Sequence, residues 1–329
     1  METAFISVII PTRNRAELLC RALDSLTNQR HPQDKYEVIV VDNGSTDMTM
    51  DICNQFEKKF VHFRVIHEPR PGLHYGRNIG MRTARGEVLL YGDDDIKAFP
   101  TWFEGVSEAF KDPSVGLVGG KILPEYEKEP PVWVDSIWQK TPWGKALGHF
   151  SLLDFGDEIK DIPANYVWGC NFAIRKRVLE EVGGFHPDCY PHEMIRYMGD
   201  GESAVANEVQ KRGYRVLYHP KASVYHHISA SRMTLDYLYA RSFNQGISDS
   251  YSYVRKEGGV AAGANLKRLA NEAIRRAIRI AKYVLKGEAS VYQQVIAKGW
   301  RDGYKYHQEE IRKDPELLAW VMKESYLEQ

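Results

Sequence analysis

Three adjacent carboxylates, Asp93-Asp94-Asp95, follow directly on the apolar run Val88 to Tyr91. Like charges at that spacing repel, so a fold keeps them only where solvent, cations or a metal neutralise them. Together with a diphosphate, such carboxylates form the oxygen-rich shell that Mg²⁺ or Mn²⁺ prefers. In isolation the triplet reads as a solvated acidic turn or a helix cap. Its place after a core strand favours the metal. A second cluster, Asp42-Asn43-Gly44-Ser45-Thr46-Asp47, follows the run Tyr36 to Val41. Asp42 can accept hydrogen bonds from the imide of a nucleobase, Gly44 permits a tight turn, and Asp47 suits the cap of the next helix. A third stretch, Glu68 to Gly80, combines three glycines with Arg77, whose guanidinium suits a phosphate or a base carbonyl. Its spacing matches neither the dinucleotide nor the P-loop fingerprint.

The elements that must position these groups alternate along the chain. Phe5 to Ile10, stopped by Pro11, reads as a buried strand, and Leu18, Leu19, Ala22, Leu23 and Leu26 recur at helical spacing. Tyr36 to Val41, Phe63 to Ile66 and Glu87 to Tyr91 are further strands, with helices between them. Strand-helix alternation predicts a parallel α/β sheet, and ligands of such sheets sit beyond the carboxyl ends of the strands. Pro11-Thr12-Arg13-Asn14 and the two acidic clusters all lie at those ends. The rhythm then changes: Glu125 to Phe155 reads as an irregular, aromatic-rich excursion, and from about Met233 the character is helical. Between Leu266 and Leu285 apolar residues interleave with seven Lys and Arg up to Lys286, an amphipathic basic helix.

Composition sets the outer bounds. Of 329 residues 43% are hydrophobic, ample for a core, and 44 basic residues balance 44 acidic ones, which argues against a dedicated nucleic-acid binder. Cys20, Cys53, Cys170 and Cys189 show no CxxC spacing, and the first and second fall on predicted helices as buried free thiols. No run approaches the length of a membrane span, and Phe5 to Ile10 is too short for a signal sequence. The expectation is a cytoplasmic protein, free or peripheral on the inner face of the membrane. The basic stretch 266–285 suits contact with an anionic membrane surface or packing, as in a homodimer; packing is slightly preferred.

Taken together, the segments resemble glycosyltransferase family 2. That family's P-x-x-N-R block is matched by Pro11 to Arg15, its V-D-[DN]-G-S-x-D block by Val41 to Asp47, and its ARN-x-G block by Gly76 to Gly80, with Gly76 where Ala is usual. Asp93-Asp94-Asp95 occupies the D-x-D position. Downstream, Trp168 to Lys176 resembles the G-x-N-x-x-x-R block, followed by Val182-Gly183-Gly184-Phe185. The family's E-D pair, whose second acid is the catalytic base, meets Gly199-Asp200-Gly201-Glu202 here. Counting back from Gly213 puts Glu202 at the base position, with Gly201 replacing the first acid and Asp200 as the alternative base.

The resemblance implies a GT-A fold: a nucleotide-binding sheet flanked by helices, with a helical C-terminal region. It divides the chain into a catalytic domain at 1–232 and a helical extension at 233–329. Within the former, 1–100 would bind the nucleotide sugar and 101–232 the acceptor. It implies an inverting transfer from a nucleoside-diphosphate sugar, UDP-sugar favoured, to a hydroxyl of a glycan, lipid-linked or protein acceptor, with Mn²⁺ or Mg²⁺ as cofactor. Asp95, Asp93 and His226 would hold the metal. Pro11, Thr12, Asn14, Asp42, Asn43, Gly44 and Arg77 would contact the nucleotide, with Asp93 and Asp94 close by and Asp94 reaching the ribose. Arg241, in a loop Arg241 to Gly246, would lie over the diphosphate. Trp168, Gly169 and Asn171 would face the acceptor, with Trp133, Trp138 and Trp143 as stacking candidates that more simply pack the subdomain. Two rivals remain: a sugar-nucleotide-binding protein without turnover, and a sugar nucleotidyltransferase, whose Gly-rich triphosphate loop the segment Pro11 to Arg15 lacks.

Overall fold

A computed structural model of the protein describes residues 4–259 and 291–327. The first half builds the expected alternation. Strands β1 (Ile6–Thr12), β2 (Tyr36–Asp42), β3 (Phe63–His67) and β4 (Val88–Gly92) run parallel in the order β4-β1-β2-β3. All seven residues of β1 and of β2 are buried, which is why both read as near-continuous β-branched runs. Helices Ala16–Leu26, Thr49–Glu57 and Leu73–Thr83 connect them.

Beyond β4 the chain makes a short strand β5 (Ile96–Ala98), then β6 (Val115–Gly119) and β7 (Ile122–Tyr126). The stretch expected to be irregular carries β8 (Gln139–Lys140), β9 (Lys145–Leu147) and β10 (Leu152–Asp154), paired antiparallel in series. Strands of two or three residues are too short to show a period, so the sequence hid them. The remaining strands are β11 (Lys160–Asp161), β12 (Asn171–Arg175), β13 (Arg215–Tyr218) and β14 (Val224–Ile228). Two sheets result: eight strands in the order β11-β13-β6-β12-β4-β1-β2-β3, and six in the order β5-β14-β7-β10-β9-β8. Strand β12 runs antiparallel between β4 and β6, joining later strands to the first parallel set.

The C-terminal region is helical, as expected. Helix Leu235–Glu257 starts at Thr234, whose hydroxyl accepts the Tyr237 N–H, and ends at left-handed Gly258. It packs against Val291–Lys313, and a shorter helix Pro315–Val321 follows. Arg241 to Gly246 lies inside the first of these helices and is not a loop. Gly246 is there for close packing: a Cβ would lie 2.1 Å from the Trp300 carbonyl oxygen. The basic stretch 266–285 falls outside the described residues. No helix among the described residues is long and apolar enough to cross a membrane.

Candidate active site

Because β1, β2 and β4 are parallel neighbours, their carboxyl ends meet at one edge, and the polar clusters meet with them. Asp42 turns the chain after β2: its Oδ1 accepts the Ser45 N–H at 2.9 Å, and its Oδ2 lies 3.2 Å from His67 Nδ1. Gly44 takes the left-handed conformation this turn requires (φ 77°). Asn14 Oδ1 accepts the Thr46 N–H at 2.7 Å, stapling the loop after β1 to the loop after β2. Asn43 Nδ2 donates to the Glu68 carbonyl at 3.2 Å. Asp47 accepts the N–H of Ala16 at 3.1 Å and of Thr49 at 3.0 Å, so it serves the starts of two helices. Pro11 ends beside Gly76, where an added Cβ would approach it to 3.1 Å.

The acidic triplet diverges into three environments. Asp94 points back into the protein, accepting the Thr12 hydroxyl at 2.7 Å and pairing with Arg15 at 2.7 Å. Burial pushes its carboxyl up to about 7 against the pull of Arg15. Asp95 is buried, and its Oδ2 receives both Arg15 at 2.7 Å and Arg232 at 3.0 Å. Burial alone would raise this carboxyl, but His226, Arg15 and Arg232 hold it well below the ordinary range. Its Oδ1 faces His226 Nε2 at 3.3 Å. The imidazole is fixed from behind, its Nδ1 donating to the Phe150 carbonyl 2.9 Å away. Its Nε2 lies 3.2 Å from Arg232 Nη1, and Asp95 Oδ1 beside it is a buried oxygen without a hydrogen bond. A cavity of about 490 Å³ shares Arg15 and Arg232 with this shell and is lined also by Arg21, Glu127 and His227.

Asp93 is the most open of the three, with 30% of its side chain exposed, and its Oδ1 is 3.5 Å from Arg77 Nη2. Burial raises this carboxyl despite Arg77, and Asp95 and Glu202 add to the rise. Arg77 itself is buried and reaches the other way with Nη1, 3.1 Å from Glu202 Oε2. The remaining oxygen of Glu202 accepts the Gly169 N–H at 3.2 Å. Burial would raise the Glu202 carboxyl, but Arg77, two backbone N–H groups and Arg241 bring it below its usual value. A side chain at position 169 would displace Arg77, since a Cβ there would sit 2.1 Å from its Nη2. Glu202 opens helix Glu202–Lys211 and keeps 23% of its side chain exposed, a carboxylate held in place yet reachable.

The structure thus gathers Thr12, Arg77, Asp93, Asp94, Asp95, Gly169, Glu202 and His226 around one centre, and Arg241 is near enough for Glu202 and Asp188 to feel its charge. Asp200 is placed apart. Its Oδ1 lies 2.7 Å from His186 Nδ1 and its Oδ2 accepts the Ser252 hydroxyl at 2.6 Å, so both oxygens are occupied in a structural contact. Asn171 requires a correction. It is 1% exposed, accepts Trp102 Nε1 at 2.9 Å and donates to the Ala222 carbonyl at 2.9 Å, so it has no face for an acceptor. Trp168 donates Nε1 to the Asn165 carbonyl at 3.0 Å and is half-buried. Trp133 stacks on Tyr292, and Trp143 packs on Phe155 and Tyr166. Three site residues escaped the sequence reading: Arg15, Arg232 and Asp188. Arg15 closes the P-x-x-N-R block and was the legible one; Arg232 and Asp188 stand in no block.

These contacts join the strand-end clusters to the downstream blocks, and a family-model match covers the former and the block at 168–176 but stops short of Glu202 and His226. A family model, glycosyl transferase family 2, matches residues 7–183, more than half of the chain. The chain belongs to that family. Glycosyltransferase AglE of Haloferax volcanii is 37% identical over 182 residues, covering 55% of this chain and 56% of the relative. Poly(ribitol-phosphate) beta-glucosyltransferase of Bacillus spizizenii is 36% identical over 123 residues, or 35% of this chain and 19% of the relative. The chain therefore spans about half the length of the first and a fifth of the second. Among solved structures, the mannosyltransferase PcManGT from Pyrobaculum calidifontis, in complex with GDP-Man and Mn²⁺, superposes with a TM-score of 0.56 at 19% identity. That match covers 100% of this chain and 89% of the other, and it shows that the two share the GT-A architecture.

Proposed function

We propose that the chain is an inverting glycosyltransferase that moves a sugar from a nucleoside-diphosphate sugar, UDP-sugar favoured, to a hydroxyl of a glycan or glycoconjugate. The observation that carries this reading is Arg77, which touches Asp93 of the acidic triplet with one nitrogen and Glu202 with another. One guanidinium thereby spaces a leaving-group site from a base.

A divalent metal fits the residues present. Asp95 Oδ1 is buried without a hydrogen bond and faces His226 Nε2, which Arg232 Nη1 meets at 3.2 Å; a divalent cation would take the place of that guanidinium between the two atoms. Among the described residues no three acids, histidines or cysteines converge as a cage. Two protein ligands with phosphate oxygens filling the shell is the usual arrangement for Mg²⁺ and similar ions. When bound, the metal would neutralise charge on the departing nucleoside diphosphate. Asp42 and Arg77 would orient the nucleotide. Glu202 would accept the proton of the attacking hydroxyl, a contribution of typically ~10²–10⁴-fold. Asp200, with 8% of its side chain exposed against 23% for Glu202 and bonded to His186 and Ser252 rather than to Arg77, is the weaker choice. A carboxylate acting as base toward the hydroxyl, rather than as a nucleophile, supports a single displacement and hence inversion.

Calorimetric titration of UDP and GDP, each with and without Mn²⁺, against wild type and Asp95→Ala tests the donor site. Metal-dependent binding that collapses in the variant supports the reading. No metal-dependent binding of UDP, GDP, CDP or dTDP would remove it.

A further inference from the structure

Gly201 stands one residue before Glu202, where the resemblance places the first acid of a pair. Its backbone is left-handed (φ 52°), so a side chain there would be strained. The space such a side chain would enter is filled: a Cβ built on Gly201 lies 2.7 Å from Asp188 Oδ2 and 2.9 Å from Asp188 Cγ. A carboxylate from another segment, the loop after Gly183-Gly184-Phe185, occupies it. That loop is tied down at two points. Asp188 Oδ1 accepts the Cys189 N–H at 2.8 Å, and the Asp188 carbonyl accepts the N–H of Leu73, which opens the Arg77 helix, at 2.9 Å.

We infer that Asp188 supplies, from outside the helix, the carboxylate that position 201 lacks, and acts as a positioning residue for Glu202. The inference rests on the glycosyltransferase reading with Glu202 as base. The charged and titratable groups around the two acids are Arg77, Arg241, Cys189 and, through Arg77, Asp93. Burial, then Glu202, pushes the Asp188 carboxyl up to about 6, so Glu202 ionises first. Above that value Asp188 is a second anion drawn to Arg77 and Arg241, the guanidiniums that also hold Glu202.

The test is initial-rate transfer by the full chain with Mn²⁺ across pH, alongside metal-dependent nucleotide affinity. Asp188→Asn should lower kcat about tenfold, a fraction of the base's own contribution. It should leave nucleotide affinity unchanged, and also the acid limb set by Glu202, because Asp188 is already neutral where Glu202 ionises. Asp188→Glu should restore most of the rate. Wild-type kcat in Asp188→Asn would overturn the inference, as would equal losses in the Asn and Glu variants. If the Asn variant fails to fold, Asp188→Ser, which is smaller and free of conflict with Gly201, is read by the same criteria. Full turnover in Glu202→Gln would instead overturn the base assignment, whatever Asp188 does.

Discussion

The donor side and the acceptor side of the site are built by different means. On the donor side the loop groups sit at the carboxyl ends of β1, β2 and β4, which parallel pairing brings together, and Arg77 and His226 join them from a helix and from β14. On the acceptor side nothing is local. Glu202 is set by a backbone N–H from Gly169, an arginine from the Leu73–Thr83 helix and, on our inference, an acid from a third segment. The two carboxylates at the centre differ accordingly. Asp95 is buried, with two guanidiniums on one oxygen and a bare second oxygen, an arrangement suited to a cation. Glu202 has both oxygens engaged but stays partly exposed, suited to a proton from an incoming hydroxyl. Lesions on the two sides should therefore separate binding from turnover.

The largest effect should come from Asp95→Ala. It removes a buried oxygen that lacks a hydrogen bond beside His226, and it should abolish metal-dependent nucleotide binding. Turnover should fall on the order of 10³-fold or more, since several kcal/mol of leaving-group stabilisation go with the metal. Calorimetry and an initial-rate assay read the two separately; unchanged nucleotide affinity would dissolve the contrast between the sides. Glu202→Gln is the opposite case. The amide keeps an acceptor for Gly169 but loses the charge, so kcat should drop by roughly 10²–10⁴-fold while nucleotide affinity holds. In the wild type the acid limb of kcat should lie on the acid side of the ordinary glutamate range, because Arg77 and Arg241 hold Glu202 down. A limb above that range would mean that another group titrates.

That division also explains what could be read from the residues alone. The parallel set, Asp42, Arg77 and the triplet were legible because each belongs to a buried strand, to its end or to a spaced block; His226, read as following a strand, lies within β14. Gly169 was legible as part of a motif, but the reason for it, the guanidinium of Arg77 lying where a Cβ would be, appears only in three dimensions. Asp188 and Arg232 carry no local signal; each becomes a site residue through a contact across the fold. Asn171 misled for the same reason. Its block marks the start of β12, but the side chain turns inward to Trp102 and Ala222. The short strands β8 to β10 were missed because two or three residues show no period, and Arg241 to Gly246 was misread because a glycine used for helix packing looks like one used for a bend.

Asn171 gives a sharper test of the acceptor side than any of its aromatics. Asn171→Ala would strand the Trp102 indole N–H and the Ala222 carbonyl in the core, at a cost of about 1–3 kcal/mol. Denaturant unfolding should show that loss. Acceptor KM of the folded variant should be unchanged, and a raised KM with full stability would return Asn171 to the acceptor surface.

The smallest effect, and the finest test of the donor side, is expected at Gly76, where the family usually has Ala. Gly76 lies inside the helix Leu73–Thr83, so alanine gains about 0.5–1 kcal/mol of helix stability. The new Cβ would lie 2.6 Å from Asn43 Oδ1, the far end of a side chain that can rotate. Rotation breaks the Asn43 contact with the Glu68 carbonyl, a hydrogen bond contributing about 0.5–1.5 kcal/mol. The two terms nearly cancel, so the melting temperature should hardly move. Nucleotide affinity should weaken a few-fold, because the loop after β2 loses one of its ties. Combining Gly76→Ala with Asn43→Ala removes the clash and the tie together. If the paired variant binds no better than Gly76→Ala alone, the loss arises from the missing tie; recovery would show that Asn43 had been forced into the nucleotide's place.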